Sequence, residues 1–97
     1  MTNSKKIKGT LKKQFPVLKE KYHVKTMGIF GSFARGEENA KSDIDIVVEF
    51  TSPMGFFDFI RLEKSLSESL GRQVDLVTKS ALKPAIKSDV LKEVIYV

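Results

Sequence analysis

An α/β architecture, a mixed β-sheet flanked by helices, is the fold class that this sequence predicts, and three observations predict it. Helix-like and strand-like hydrophobic patterns alternate along the chain. Three short apolar runs, Lys25 to Phe30, Asp43 to Phe50 and Arg72 to Thr78, read as strands, too few to say whether they pair parallel or antiparallel. Composition, 41% apolar and 30% charged over 97 residues, suits one compact domain spanning 1–97 with a modest core.

Residues 4–22 carry Ile7, Leu11, Phe15 and Leu18 at helical spacing, but Pro16 removes a backbone donor inside the run. The pattern therefore predicts a helix that breaks at Pro16 and restarts. After the first strand, Gly31 to Arg35 reads as a turn entering a helix, and Glu37 to Ser42 as a polar loop. Thr51 to Gly55 is a loop. Phe56 to Leu70 is a helix whose Phe59, Leu62, Leu66 and Leu70 form one stripe, closed by Gly71. Glu63 falls among the apolar positions of this helix and reads as a rim residue, while Phe57 lies off the stripe, where it could meet a partner. Beyond the third strand, Pro84 and Ser88 are start signals for one or two short helices over Ser80 to Glu93, and Val94 to Val97 is an apolar tail.

The net charge of +5 is unevenly placed: residues 1–25 carry eight lysines against Glu20 alone, and the rest of the chain is slightly acidic. That basic stretch fits the solvated face of an amphipathic helix ahead of a contact for nucleic acid or an acidic partner. No run approaches the roughly 18 apolar residues of a membrane span. Met1 to Lys6 lacks the apolar core of a signal peptide, so the expected setting is cytoplasmic. Without cysteine, a disulfide framework and thiolate metal sites are excluded. The single histidine, His23, reads as structural.

The second strand poses the chemical question, because it opens Asp43-Ile-Asp45 and continues Ile46-Val47-Val48. Side chains alternate, so Asp43 and Asp45 share one face while Ile44, Ile46, Val48 and Phe50 share the other. Unpaired carboxylates beside a core are costly. Two of them on a rigid strand offer oxygen ligands to Mg²⁺, a hard cation that shares its coordination with substrate phosphates. Twelve residues upstream, Gly31-Ser32 follows a strand and opens a helix, where backbone N–H groups and the Ser32 hydroxyl suit a phosphate. Phosphate cradle and carboxylates together predict a triphosphate site. Asp75 sits on the third strand with Val74 and Leu76 pointing the opposite way, so it can reach the same place. A clamp of two cations on an in-line displacement at phosphorus requires three such carboxylates. Arg35 can bind phosphate or pair with Glu37, Glu38 or an aspartate of the site. Other motifs fail: Glu37 stands where a Walker loop needs lysine, no Gly-x-Gly-x-x-Gly is present, and Asp43-x-Asp45 lacks the glycine and later glutamate of an EF-hand.

Gly31-Ser32-x-x-Arg35-Gly36, then Ser42-Asp43-x-Asp45, with Gly71-Arg-Gln-Val-Asp75 as a third element and Leu82-Lys-Pro84 beyond it, resembles the minimal nucleotidyltransferases, small relatives of the polymerase beta superfamily, over nearly the whole chain. The resemblance implies their fold and a Mg²⁺-dependent nucleotidyltransferase with ATP as substrate. It implies that Asp43, Asp45 and Asp75 are the catalytic and metal residues, holding two Mg²⁺ ions, with Asp75 also accepting the proton of the attacking hydroxyl. Gly31, Ser32, Arg35 and Ser42 are the implied nucleotide-binding residues. A partner is implied as well: members of this size are usually encoded beside a helical HEPN protein, a ribonuclease toxin, which they neutralise as its antitoxin by transferring AMP to a tyrosine. Two other functions stay open at this point. One is an antitoxin that masks its partner by binding alone; the other is nucleotidyl transfer to a small molecule or an RNA end, which the short chain disfavours because nothing remains to build an acceptor pocket.

Overall fold

The computed structural model describes residues 3–97, with side chains from Lys5 onward, so Met1 and Thr2 of the N-terminal stretch read above lie outside the described residues. The elements run α1 (Asn3–Tyr22), β1 (Val24–Phe30), α2 (Ser32–Arg35), β2 (Ile44–Phe50), α3 (Phe56–Leu70), β3 (Val74–Thr78), α4 (Pro84–Glu93) and β4 (Ile95–Tyr96). The strands form one sheet in the order β3-β2-β1-β4. β1 is antiparallel to β2 and to β4, whereas β2 and β3, joined by α3, are parallel. The sheet is therefore mixed and flanked by helices, as the alternating pattern predicts.

One face of the sheet is the core. Met27 and Ile29 of β1, Ile44, Ile46 and Val48 of β2, and Val74 and Leu76 of β3 pack in one cluster with Ile7, Leu11, Leu18 and Tyr22 of α1 and Leu62 and Leu66 of α3. Phe33 joins that cluster from α2 and so anchors the single turn that follows β1. Asp45, Val47 and Glu49 alternate onto the opposite face. There the α4–β4 junction lies against β1, close enough that a Cβ on Gly28 would collide with the Val94 side chain. No helix among the described residues is long and apolar enough to cross a membrane.

Two elements differ from the sequence reading. α1 is continuous through Pro16. Pro16 is exposed, so its missing hydrogen bond faces solvent, while buried Leu11 on one side and Leu18 and Tyr22 on the other hold both halves on the same core. The apolar tail forms β4, which pairs with Gly28 and Ile29, and the Val97 N–H donates to the Met27 carbonyl at 3.0 Å. Two residues carry no readable period, which is why the sequence shows only three strands. α4 starts at Pro84, after a short 3₁₀ turn at Lys79–Ala81, and Ser88 lies inside it.

The outer edge of β3 explains the odd position of Glu63. The Leu76 N–H donates to Glu63 Oε2 at 2.9 Å, and the Val74 N–H donates to Ser67 Oγ at 3.0 Å. Two side chains one turn apart on α3 thus satisfy main-chain donors that no strand covers. Replacing Glu63 with alanine removes the acceptor for the Leu76 N–H and is expected to cost about 1–2 kcal/mol of stability. Urea denaturation reads this as a lower midpoint at unchanged slope, with nucleotide affinity unaffected.

Candidate active site

β1 ends at Phe30, which pairs across the sheet with Asp45. The chain then turns at Gly31, whose φ of 73° is a conformation that side chains other than hydrogen rarely adopt. The Gly31 carbonyl accepts the N–H groups of Ala34 and Arg35, both at 3.1 Å, and so starts α2. A Cβ at this position would strike Asp45 Oδ2 and stand 3.0 Å from Asp45 Cγ, so the carboxylate rests directly on the turn. Asp75 stands opposite Asp45 in the β2–β3 register, on a strand about 4.8 Å away. Asp43 lies one residue ahead of β2 and is exposed. Burial raises the Asp45 carboxyl above its usual range; the charges of Asp75, Asp43 and Glu93 push the same way, and the Arg35 guanidinium opposes them.

The sequence-predicted residues are not all used alike. Ser32 heads α2, where the N–H groups of Ser32 and Phe33 have no acceptor within the helix. α2 has only four residues, so its dipole adds little. The Gly31 N–H is already taken, donating to Glu93 Oε1 at 3.0 Å. Arg35 pairs with Glu37 through Nε at 2.6 Å and with Glu93 through Nη1 at 3.2 Å. Ser42 accepts the Asn39 N–H on its hydroxyl at 2.9 Å and thereby shapes the loop. Asp43, Asp45 and Asp75 face the same side of the sheet, but among the described residues no three such side chains are gathered as a ready-made metal centre.

Sequence reasoning missed two residues that build the site. Arg72 Nη1 donates to the carbonyls of Asn39 and Ser42, both at 2.9 Å, and its guanidinium lies 5.1 Å from the centre of the Phe33 ring. One side chain therefore ties the loop that delivers Asp43 to the turn that follows β1. The signal was present in the third motif, Gly71-Arg-Gln-Val-Asp75, where Arg72 reads as the start of a strand. Glu93, at the end of α4, is the other; nothing local marks it.

A groove of about 1020 Å³ opens toward the far ends of β2 and β3, lined among others by Glu49, Phe50, Met54, Phe56 and Val77. Its lining on β3 runs from Leu76, the residue after Asp75, to Thr78. Phe56 and Phe57 at the start of α3 are 71% and 74% exposed, and Ile60 is exposed as well.

Comparison with known proteins places these features in company. The nucleotidyltransferase domain family matches residues 11–97. A candidate protein adenylyltransferase of Methanocaldococcus jannaschii is 49% identical over 98 residues and covers all of both chains. The protein adenylyltransferase MntA of Thermococcus cleftensis is 48% identical over 80 residues, 82% of this chain and 81% of its own. Among solved structures, a candidate minimal nucleotidyltransferase superposes with a TM-score of 0.75 at 32% identity, covering 92% of this chain and 93% of that one. A likeness in fold, with a TM-score of 0.61 at 22% identity, covers 97% of this chain and 67% of a chain from the complex of a tri-AMPylated Shewanella oneidensis HEPN toxin with an MNT antitoxin.

The raised Asp45 carboxyl has a sign that can be checked. A folded-state pKa above the ordinary 3.8 means that ionised Asp45 destabilises the fold at all pH values above the raised one, and that the cost fades as pH falls toward 3.8. Asp45→Asn is expected to raise the melting temperature by a few degrees at neutral pH in EDTA, with the gap between variant and wild type closing on acidification. Thermal unfolding across pH 3 to 8, about five units, measures it.

Proposed function

The chain belongs to the nucleotidyltransferase domain family and is a nucleotidyltransferase, and on that premise we propose that it is a protein adenylyltransferase, transferring AMP from ATP to a tyrosine hydroxyl of a HEPN-type toxin. It acts as the antitoxin of that pair, in the cytoplasm, with the toxin encoded by the adjacent gene. The observation that carries the reading is the register of β2 against β3: it sets Asp75 opposite Asp45, while Asp45 lies against the Gly31 turn. Carboxylates and unsatisfied turn N–H groups then belong to one place.

Mg²⁺ fits this donor set, which is all oxygen and in which burial first, and the neighbouring like charges second, raise the Asp45 carboxyl. Asp43, Asp45 and Asp75 would hold it, as two ions, and when bound it neutralises charge developing on the α-phosphate and on departing pyrophosphate. The remaining work falls to the chain. The Ser32 hydroxyl and the N–H groups of Ser32 and Phe33 would hold phosphate oxygens. Asp75, exposed on its strand, would accept the proton as the tyrosine oxygen bonds to the α-phosphorus and the bond to pyrophosphate breaks. Exposed Phe56, which lines the groove, and exposed Phe57 and Ile60 in the same first turns of α3 offer apolar surface to a protein partner, which would bring the acceptor hydroxyl.

One observation favours masking without chemistry: the three carboxylates are not already gathered. Two measurements decide. Calorimetry is expected to show ATP binding in Mg²⁺ and its loss in EDTA, because Asp43 and Asp45 otherwise repel the triphosphate; equal affinity in both would remove the two-metal reading. Incubating the toxin with this protein, ATP and Mg²⁺ is expected to add about 329 Da per AMP to its intact mass, and Asp75→Asn to slow that gain roughly 10² to 10⁴-fold while leaving the complex intact. A toxin neutralised without any change of mass would leave only the mask.

A further inference from the structure

Glu93 is 62 residues from Gly31 and 58 from Arg35 in the chain, yet one carboxylate serves both. Its Oε1 accepts the Gly31 N–H at 3.0 Å, and Arg35 Nη1 donates to Oε1 and Oε2 at 3.2 Å each. From the other side, Arg35 Nε donates to Glu37 Oε1 at 2.6 Å. A guanidinium has five N–H donors in one plane. Holding Nε and Nη1 fixes that plane and leaves the Nη2 edge, for which the described residues supply no acceptor, to receive an anion. The two anchors differ in weight: the Glu37 side chain is 61% exposed and pairs as an ordinary surface ion, whereas that of Glu93 is 28% exposed.

Glu93 also belongs to the site electrostatically, since its charge is felt at Asp45. The fold delivers it there deliberately in physical terms. β4 pairs onto Gly28 and Ile29, Gly28 makes room for Val94, and the residue before Val94 is carried to the Gly31 turn.

We propose that Glu93 is a positioning residue for the nucleotide: it orders the Gly31 turn and orients Arg35 so that the free guanidinium edge meets the triphosphate. The inference rests on the nucleotidyltransferase reading of the site. An unrestrained arginine on the surface samples many rotamers, and binding an anion must then order it; Glu93 does that ordering beforehand. A carboxylate that merely occupied the phosphate donors would have the opposite effect, since its removal would tighten nucleotide binding.

The test is a double-mutant cycle read by calorimetry, using a non-hydrolysable ATP analogue with Mg²⁺ on the full chain. Glu93→Ala is expected to weaken binding about 3- to 10-fold, and Glu93→Gln by less, because one oxygen acceptor survives. In an Arg35→Ala background, Glu93→Ala is expected to add a clearly smaller loss than in the wild type, the remainder coming from the Gly31 N–H that it still accepts, whereas a general structural role would give the same loss in both backgrounds. Unchanged or tighter binding by Glu93→Ala, or an equal loss with Arg35 absent, overturns the proposal. Melting curves accompany each variant; should Glu93→Ala fail to fold, Glu93→Gln carries the cycle. A wild type that does not bind the analogue removes the reading of the site along with this one, whereas a wild type that binds while Glu93 is inert removes only the role of Glu93.

Discussion

The approach of the Asp45 carboxylate to the backbone of Gly31 is the constraint on which the rest of the structure hangs. It requires that position 31 have no Cβ, and it requires the left-handed backbone that glycine alone adopts without strain. Once the chain has turned there, the Gly31 carbonyl starts α2, Phe33 drops into the core, and the N–H groups of Ser32 and Phe33, next along the chain from that contact, have no acceptor within the helix. The β1–β2 register fixes the other half of the contact by setting Asp45 across from Phe30. Donors for an anion and acceptors for a cation become neighbours because one carbon is missing.

This arrangement works against the stability of the empty protein. Asp45 is partly buried among Asp75, Asp43 and Glu93, with Arg35 as the opposing charge. Such crowding survives because it sits at the rim of a sheet whose other face is fully apolar and packed from both helices. Arg72 contributes locally: by gripping the carbonyls of Asn39 and Ser42 and lying over Phe33, it keeps the loop before Asp43 from swinging away from its own repulsion. Under the proposed function a divalent cation would relieve that crowding.

What was legible in the sequence was what is local. Alternation along Asp43 to Phe50 tells which side chains share a face, and the stripe on Phe56 to Leu70 with Gly71 behind it gives a helix and its end, because both depend on neighbours within a few residues. The same alternation puts Asp75 on the carboxylate face. Tertiary burial overrode local rules at Pro16, where anchors on both sides outweighed a lost hydrogen bond. Pairing across the chain was out of reach: β4 depends on Gly28, Glu63 on an edge N–H of β3, and Glu93 on a turn more than half the chain away. Ser42, grouped with the phosphate ligands by its motif, also accepts the Asn39 N–H of its own loop, a contact that spacing does not show.

The side chains of Glu63 and Ser67 have a consequence for how this protein meets others. An uncovered strand normally invites another strand to add to the sheet, by main-chain hydrogen bonds that ignore sequence. At Val74 and Leu76 that invitation is withdrawn, since the N–H groups are already engaged from α3, while among the described residues the opposite edge is the two-residue β4 beside the part of β1 that β4 does not pair with. The sheet is thereby closed to growth along β3, whether by a partner or by a second copy of itself. Along that edge recognition goes instead through side chains, where shape and sequence are read, and where a helix, which has no main chain to share, competes on equal terms.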